Sequence, residues 1–398
     1  MQFRKIHNCR GWLLVVLMSL LCGPLAAQPP VNATDKPTAM TPAELAAAMA
    51  DYRVKLEAYR RAWHEYEAVA GKYWDSIAAK RRHRVAKRRS ELEMALGDYV
   101  LTQPPAYSGP PEPINPSIPV PPPRPRKYLA VVADFLKCAK KYFKFVPQQP
   151  RNEIEFKRAY AKVAKAAGLT KEQAVRIYGF EAGGNGLYDV QAGLEYPTPD
   201  AHAISTALGY NQLLNTNTLE LLAEKGARFI KVLEAKAAAL SGKPKSALDR
   251  KIAILRRMIA FSKSVPDEWS AHERLANTPK GLGIHALNLD IDIGPLLQTQ
   301  KLLDSVIFAR RKGYSKPLTA AELEMMNLTG DGNGIDMVLM PAAMRQKVPT
   351  ANFFQPGGYE RNPVAIRHNT VAALIAATDA KMDQETVLQG AKDLAAAF

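Results

Sequence analysis

With 398 residues, of which 47% are apolar, the chain exceeds a typical single domain and can bury a sizeable core. Its 54 Lys and Arg side chains outnumber the 38 Asp and Glu side chains, which gives a formal net charge of +16. The length and the apolar content exclude a protein that is too small or too polar to fold. The positive charge favours binding to acidic partners or surfaces.

The first 27 residues have the pattern of an export signal. A positive start is followed by the apolar run "WLLVVLMSLLCG", too short for a comfortable membrane span, and then by small residues before Gln28. We therefore predict a cleaved signal peptide at 1–27 and a location in the periplasm or cell envelope. Leu21 disfavours the alternative of a lipid anchor on Cys22, and an uncleaved anchor is the third alternative.

A seven-residue repeat predicts a helical arm over residues 41–100. Tyrosine recurs every seven residues, and a second, mostly apolar series follows four residues after each tyrosine. The two series are Tyr52, Tyr59, Tyr66 and Tyr73, and Leu56, Trp63, Ala70 and Ile77. They line one face of a helix, as in a coiled coil. This seam either packs on its own domain or mediates a homo-oligomer or a contact with a partner helix.

The arm continues into "KRRHRVAKRR", residues 80–89, where seven of ten positions are Lys or Arg. A block of like charge is either a solvated helix face or a binding site for an anionic polymer. Because the chain carries an export signal, we expect a cell-wall polymer or a membrane surface to bind Lys80–Arg89, and we expect no nucleic acid.

Eleven prolines fall within the linker predicted at 103–126. Such a segment favours extended polyproline II and cannot bury a core, so it predicts a spacer. Residues 127–398 follow as one domain, in which helical spacing dominates and alternating strand patterns are scarce. The predicted fold class is mainly α.

Within the domain 127–398, "DGNGIDMVLMPA" (331–342) predicts a tight Asn-Gly turn, with an irregular ion site as the alternative.

One carboxylate lies on the apolar stripe of a predicted helix. Thr170 and Gln173 form a capping box that begins this helix at about Lys171, and Gly183 and Gly184 end it. Glu181 falls in helical register with the apolar residues Ala174, Ile177 and Tyr178.

Burial against apolar neighbours and the negative end of the helix dipole should both raise the pKa of Glu181. A carboxylic acid that is still protonated near neutral pH can donate its proton to a leaving oxygen. The alternative is a structural Glu181 paired with a Lys or Arg side chain.

A second motif lies downstream of Glu181. The sequence "ALGYNQLL", residues 207–214, has the pattern A-x-G-x-x-Q followed by two apolar residues. A helix-terminal Glu followed by this pattern resembles the lytic transglycosylases of the lysozyme-like superfamily. The resemblance implies a lysozyme-like helical domain with Glu181 as acid/base and with Gly209, Tyr210 and Gln212 along the sugar groove. Tyr359, in "GYERNP", is the nearest counterpart of that family's A-Y-N-x-G motif, and Ala182 stands where the family usually has Ser.

The resemblance further implies cleavage of peptidoglycan glycan strands. The bond between N-acetylmuramic acid and N-acetylglucosamine would be cut by Glu181 alone, with a 1,6-anhydro product and with no cofactor or metal. A two-carboxylate hydrolase would instead need a second acid, for which Asp189, Glu195 and Asp200 are candidates. The main alternative is a non-enzymatic cell-envelope scaffold or glycan-binding protein. In "HALNLDIDIG" (285–294), Asp290 and Asp292 are either satisfied structural carboxylates or groove residues.

Overall fold

The computed structural model describes residues 40–118, 128–195, 198 and 200–398. The predicted signal peptide at 1–27 and the linker residues 119–126 lie outside the described residues. Among those described, helices are the regular secondary structure, so the prediction of a mainly α fold is confirmed. In chain order the α-helices are α1 (Pro42–Arg89), α2 (Val132–Phe143), α3 (Glu153–Ala167), α4 (Lys171–Ala182), α5 (Asn215–Ala238), α6 (Gly242–Ser262), α7 (Trp269–Ala276), α8 (Pro279–His285), α9 (Gly294–Arg311), α10 (Ala320–Thr329), α11 (Asp331–Leu339), α12 (Ala342–Arg345), α13 (Pro356–Glu360), α14 (Pro363–Arg367), α15 (Val371–Thr386) and α16 (Gln389–Ala397).

The described residues divide into two compact units. The first unit comprises residues 128–346 and 370–398, and the second comprises residues 40–118 and 347–369. Residues 347–369, which the sequence analysis includes in the domain 127–398, therefore cluster with the arm. Within the part of the chain that the structure describes, no helix is both long and apolar enough to cross a membrane.

The second unit is organised by the single long helix α1. Thr41 caps its start through a capping box with Glu44, and it runs on to Arg89. The described part of the proline-rich segment packs against this helix. The ring of Tyr107 lies 5.1 Å from that of Trp63 and 5.5 Å from that of Tyr66. Residues of the predicted seam thus contact their own chain, and self-association through the seam stays a prediction.

Much of the basic segment 80–89 holds the second unit together. Arg84 is buried, and its guanidinium donates to the backbone carbonyls of Asp98 (3.0 Å) and Asn352 (2.8 Å). Lys87 donates to the Asp98 carboxylate at 2.6 Å. Buried cations persist only where acceptors replace the lost water. The segment is therefore not a uniformly solvated face, although Arg82 and Arg89 are exposed.

Two hydrophobic clusters form the core of the first unit. One gathers apolar side chains of α2, α5, α6 and α8, and the other gathers those of α3, α4, α10, α11, α15 and α16. Helix α9 contributes to both, because Leu296 and Leu297 belong to the first cluster whereas Leu302 and Val306 belong to the second. The polar residues of α9 between these positions are therefore placed where the two clusters adjoin.

The prediction of an Asn-Gly turn at "DGNG" is wrong. Gly330, with a φ of +82°, makes the break, and residues from Asp331 onward form α11. Helix α11 then packs closely on α10, and a Cβ added at Gly334 would lie 2.3 Å from the Cα of Met326. Packing against α10 thus stabilises a helix in a sequence whose local preference is a turn.

Candidate active site

Helix α4 places Glu181 at its last turn, as predicted. The Thr170 hydroxyl accepts from the Gln173 backbone N–H (3.1 Å), and the Gln173 side chain accepts from the Thr170 N–H (3.0 Å). The helix ends at Ala182, and Gly183 follows in the left-handed region with a φ of +62°. Local capping therefore fixes the position of this carboxylate.

Side chains from two other helices bind the Glu181 carboxylate. Asn327 of α10 donates its amide to Oε1 of Glu181 at 2.5 Å, and Nζ of Lys301 on α9 lies 3.6 Å from the same oxygen. The Glu181 side chain is only 5% exposed. Burial raises its pKa, and the charge of Lys301 and the hydrogen bond from Asn327 act in the opposite direction. The predicted rise in the pKa of Glu181 therefore has the predicted principal cause, burial.

A second glutamate shares these partners. Glu324, on α10, is 2% exposed, and its two carboxylate oxygens lie 3.4 and 3.2 Å from the same Asn327 amide nitrogen. Burial raises the pKa of Glu324 well above its ordinary value, and the negative charge of Glu181 raises it further. The candidate site thus contains two buried carboxyl groups, one amide and one ammonium group.

Lys301 connects Glu181 to the segment that matches the family motif. Its ammonium group donates to the backbone carbonyl of Asn211 and lies 3.4 Å from that of Gln212. The segment itself is a tight loop closed by a β-bridge between Leu208 and Leu213. The structure therefore brings Glu181 and the motif together through one lysine of α9, within the first unit.

Helix α9 also determines how this loop is seated. The Asn211 backbone N–H donates to Oε1 of Gln298, and the Asn211 side chain donates to the Gln298 carbonyl, both at 2.8 Å. Gly209 has a φ of +80°, and a Cβ there would lie 2.6 Å from Nε2 of Gln298. A glycine is therefore required where the loop crosses the helix.

The side chains of the other two motif residues face the protein interior. Tyr210 is fully buried, packs on the ring of Tyr178 at 4.7 Å and donates to the Glu153 carboxylate. Gln212 is also buried, and its amide donates to the carbonyls of Gly209 (2.8 Å) and Val190 (3.2 Å). These two side chains hold the loop from inside, and the backbone carbonyls make the link to Lys301.

Tyr359 belongs to the second unit. Its side chain is buried, with ring centroids 5.9 Å from Trp74 and 6.0 Å from Phe354. This environment gives the Tyr359 ring a packing role in the second unit, and its assignment to the sugar groove stays an expectation from the resemblance.

The loop carboxylates considered as second acids have other surroundings. Asp189 and Glu195 line a cavity of about 310 Å³ together with Asn185, Gln191 and the start of α2. Both Glu195 oxygens accept from the Gly193 backbone N–H, at 3.0 and 2.9 Å, and Asp200 is exposed. Glu324 is the carboxylate that shares a hydrogen-bond donor with Glu181.

Asp290 and Asp292 are structural carboxylates. Lys251 lies 2.9 Å from Asp290 and 2.5 Å from Asp292, and Lys236 lies 2.5 Å from Asp292. Asp290 also accepts the Gln148 backbone N–H at 2.8 Å. Of the two alternatives raised by the sequence, the structure therefore supports structural carboxylates that are paired with lysines.

No group of His, Cys, Asp and Glu suited to a metal ion occurs among the described residues.

Lys301, Glu324 and Asn327 were not among the site residues predicted from the sequence. One signal was present: Glu324 stands between Leu323 and Met325 in α10, a helix whose residues are largely buried. A carboxylate in such a helix requires a partner, and Asn327 lies one turn further on. Nothing in the sequence links either residue to Glu181, about 145 positions earlier, because that contact depends on the tertiary fold.

Comparison of the chain with protein-family models, with curated proteins and with solved structures finds no match in any of the three.

Proposed function

We propose that this chain is an exported lytic transglycosylase-like enzyme that cleaves peptidoglycan glycan strands, with Glu181 as acid and base. One observation carries the proposal. A buried glutamate at the end of α4 shares Lys301 with the backbone of the Gly209–Gln212 segment. Those are the two elements on which the family resemblance rests. The first unit would then have a lysozyme-like fold, and α1 would be the helical arm that precedes it.

The chemistry assigned to Glu181 needs a proton that can leave and return. In the first step its carboxylic acid protonates the oxygen between N-acetylmuramic acid and N-acetylglucosamine as that bond breaks. In the second step the carboxylate accepts the proton of the muramic 6-hydroxyl, whose oxygen bonds to the anomeric carbon. The product is a 1,6-anhydro sugar, and no water is consumed.

The surroundings of Glu181 suit both steps. Burial favours the neutral acid before the first step, and Lys301 at 3.6 Å stabilises the anion formed by it. The Asn327 amide fixes the position of the carboxyl oxygen at 2.5 Å. General acid–base help of this kind is worth about 10²- to 10⁴-fold in rate.

A non-enzymatic cell-envelope scaffold or glycan-binding protein is the second candidate function, and the burial of the site favours it. A carboxylate that is 5% exposed and bound by a lysine and an amide has the environment of a structural ion pair. In this case the chain would bind glycan strands or a partner and would leave the glycosidic bond intact.

Mass spectrometry of purified peptidoglycan incubated with the chain separates these functions. The transglycosylase proposal predicts soluble fragments that end in 1,6-anhydromuramic acid. Fragments with reducing ends would identify a hydrolase instead. Co-sedimentation with the insoluble wall but no soluble fragments would support the scaffold and overturn the proposed activity.

A further inference from the structure

The side-chain amide of one residue, Asn327, contacts both buried glutamates. The Asn327 side chain donates to Glu181 at 2.5 Å and lies 3.2 Å from the nearer oxygen of Glu324. Glu324 and Asn327 are one helical turn apart on α10, so the second carboxyl group is held in a fixed relation to the amide. A change in the charge of either carboxyl group must therefore act on the other.

The charges around this pair do not balance if both glutamates are ionised. Among the residues that the structure describes, Lys301 is the cation that acts on both carboxyl groups, and one ammonium group neutralises one carboxylate. Two buried carboxylates that share one cation leave a net negative charge, which is costly away from water. Retaining one proton removes that charge.

Most other ionisable groups on the neighbouring helices are exposed or have partners outside this pair. Helix α10 packs on α4, α9, α11 and α15. Lys171 of α4 and both Arg310 and Arg311 of α9 are exposed, and α11 carries the buried Asp336. The remaining groups have partners of their own: Arg176 with Glu172, Asp379 and Asp383, Lys381 with Glu385, Asp304 with Lys225, Asp331 with Ser305, and Glu322 with Tyr314 and Arg345.

We propose that Glu324 is a positioning residue for Glu181, and that the two carboxyl groups retain one proton between them at neutral pH. The inference rests on the proposed function, since it explains how Glu181 can act as an acid there. Glu324 touches no substrate in this account. It acts through the shared Asn327 amide and through its charge.

The proton count closes over one reaction cycle. The pair begins with one proton, which Glu181 gives to the glycosidic oxygen as the carbon–oxygen bond breaks. The 6-hydroxyl returns one proton to Glu181 as its oxygen bonds to the anomeric carbon. Glu324 supplies no net proton, and repulsion between the two carboxylates keeps one proton on the pair at the start and at the end of the cycle.

Titration of the glutamate carboxyl carbons by ¹³C NMR tests this proposal without measuring activity. In the wild-type chain we expect one of the two carboxyl signals to remain in its protonated position at pH 7. In Glu181→Gln the Glu324 midpoint should fall by at least about one pH unit, because the negative charge of Glu181 raises the pKa of Glu324 and strongly coupled sites interact by more than that amount. Glu322→Gln, on the same helix as Glu324 but bound to Tyr314 and Arg345, is the matched control and should leave the midpoint unchanged.

A Glu324 midpoint that is the same with and without the Glu181 carboxylate would overturn the inference, as would two fully ionised signals at pH 7 in the wild type. If Glu181→Gln fails to fold, Lys301→Met gives a second test, since the midpoints of both glutamates should then rise. If the wild-type chain releases no fragments from peptidoglycan but shows the coupled titration, the proposed function is refuted and the shared proton is retained as a property of the fold.

Discussion

The first unit contains two pairs of buried carboxyl groups that differ in their supply of cations. Asp290 and Asp292 meet two lysines, and Asp290 also accepts backbone N–H groups. Glu181 and Glu324 meet Lys301 and the Asn327 amide. Both pairs lie beside α9, with the aspartates just before its start and Lys301 in its middle.

The two pairs differ in whether lysines offset the burial of at least one carboxylate. At Asp292 burial opposes ionisation, but Lys251 and Lys236 outweigh it and lower the pKa. Burial prevails at Asp290 as well as at Glu181 and Glu324, and the pKa of each of these three is raised. Asp292, whose charge is compensated by two lysines, stays ionised and stabilises the fold, whereas a pair in which burial prevails at both carboxyl groups keeps a proton that chemistry can use.

Removing the lysine of each pair should give the largest contrast in stability. Lys251→Met leaves the Asp290 carboxylate buried without its cation, so the free energy of unfolding should fall by about 3–5 kcal/mol. Denaturant unfolding at pH 7 measures this change. A loss below about 1 kcal/mol would show that the aspartate pair is not a structural pair of the kind described.

Lys301→Met should cost less, about 1–3 kcal/mol, because Glu181 and Glu324 can both take up protons when their cation is gone. The same variant should raise the midpoints of both glutamates in the carboxyl titration, since Lys301 lowers the pKa of each. If Lys301→Met were as destabilising as Lys251→Met, the two pairs would not differ in the way proposed.

The raised pKa values of Glu181 and Glu324 should also appear in the pH dependence of stability. Glu181 and Glu324 bind protons more tightly in the folded chain, so their contribution is fully present below about pH 4.3 and is lost as the pH rises through their folded pKa values. The decline in unfolding free energy from pH 5 to pH 8 should therefore be smaller in Glu324→Gln, by about 1.4 kcal/mol for each pH unit by which its pKa was raised.

Asp292→Asn is the control for this measurement. The lowered pKa of Asp292 adds stability above about pH 3.9 that is lost as the pH falls through the folded pKa. The variant should therefore be less stable by a constant amount above that pH, and its decline from pH 5 to pH 8 should match that of the wild type. An equal decline from pH 5 to pH 8 in the wild type and in Glu324→Gln would contradict the account.

Exposed charges should give the smallest effects. The double substitution of Arg82 and Arg89 by Gln should change stability by no more than about 0.5 kcal/mol, because both side chains are solvated. If these residues bind an anionic wall polymer, the same variant should bind isolated cell walls more weakly at low salt, with the difference vanishing as salt screens the charges. Unchanged wall binding at every salt concentration would assign them no such role.

Features determined by local sequence could be predicted well. Thr170, Gln173 and Gly183 fix the two ends of α4 through contacts within a few residues, and the apolar spacing places Glu181 on its buried side. The mainly α class follows from the same periodicity.

Features determined by tertiary packing could not be predicted. The "DGNG" sequence has the local preference of a turn, but packing of Gly334 on Met326 stabilises a helix there. Lys301 and Glu324 carry no local sign of their link to Glu181, which depends on how α4, α9 and α10 meet. Residues 103–118 show the same limit, since their proline content predicts a spacer and the contacts of Tyr107 pack them on α1.

The most direct test of the account is the rate at which Glu181→Gln releases anhydromuropeptides from peptidoglycan. The amide keeps the shape of the side chain but removes the transferable proton, so the rate should fall by about 10²- to 10⁴-fold while the melting temperature shifts by only a few degrees. Glu172→Gln, at the exposed start of the same helix, is the matched control and should keep the wild-type rate. Release by Glu181→Gln within a few-fold of the wild-type rate would contradict the account.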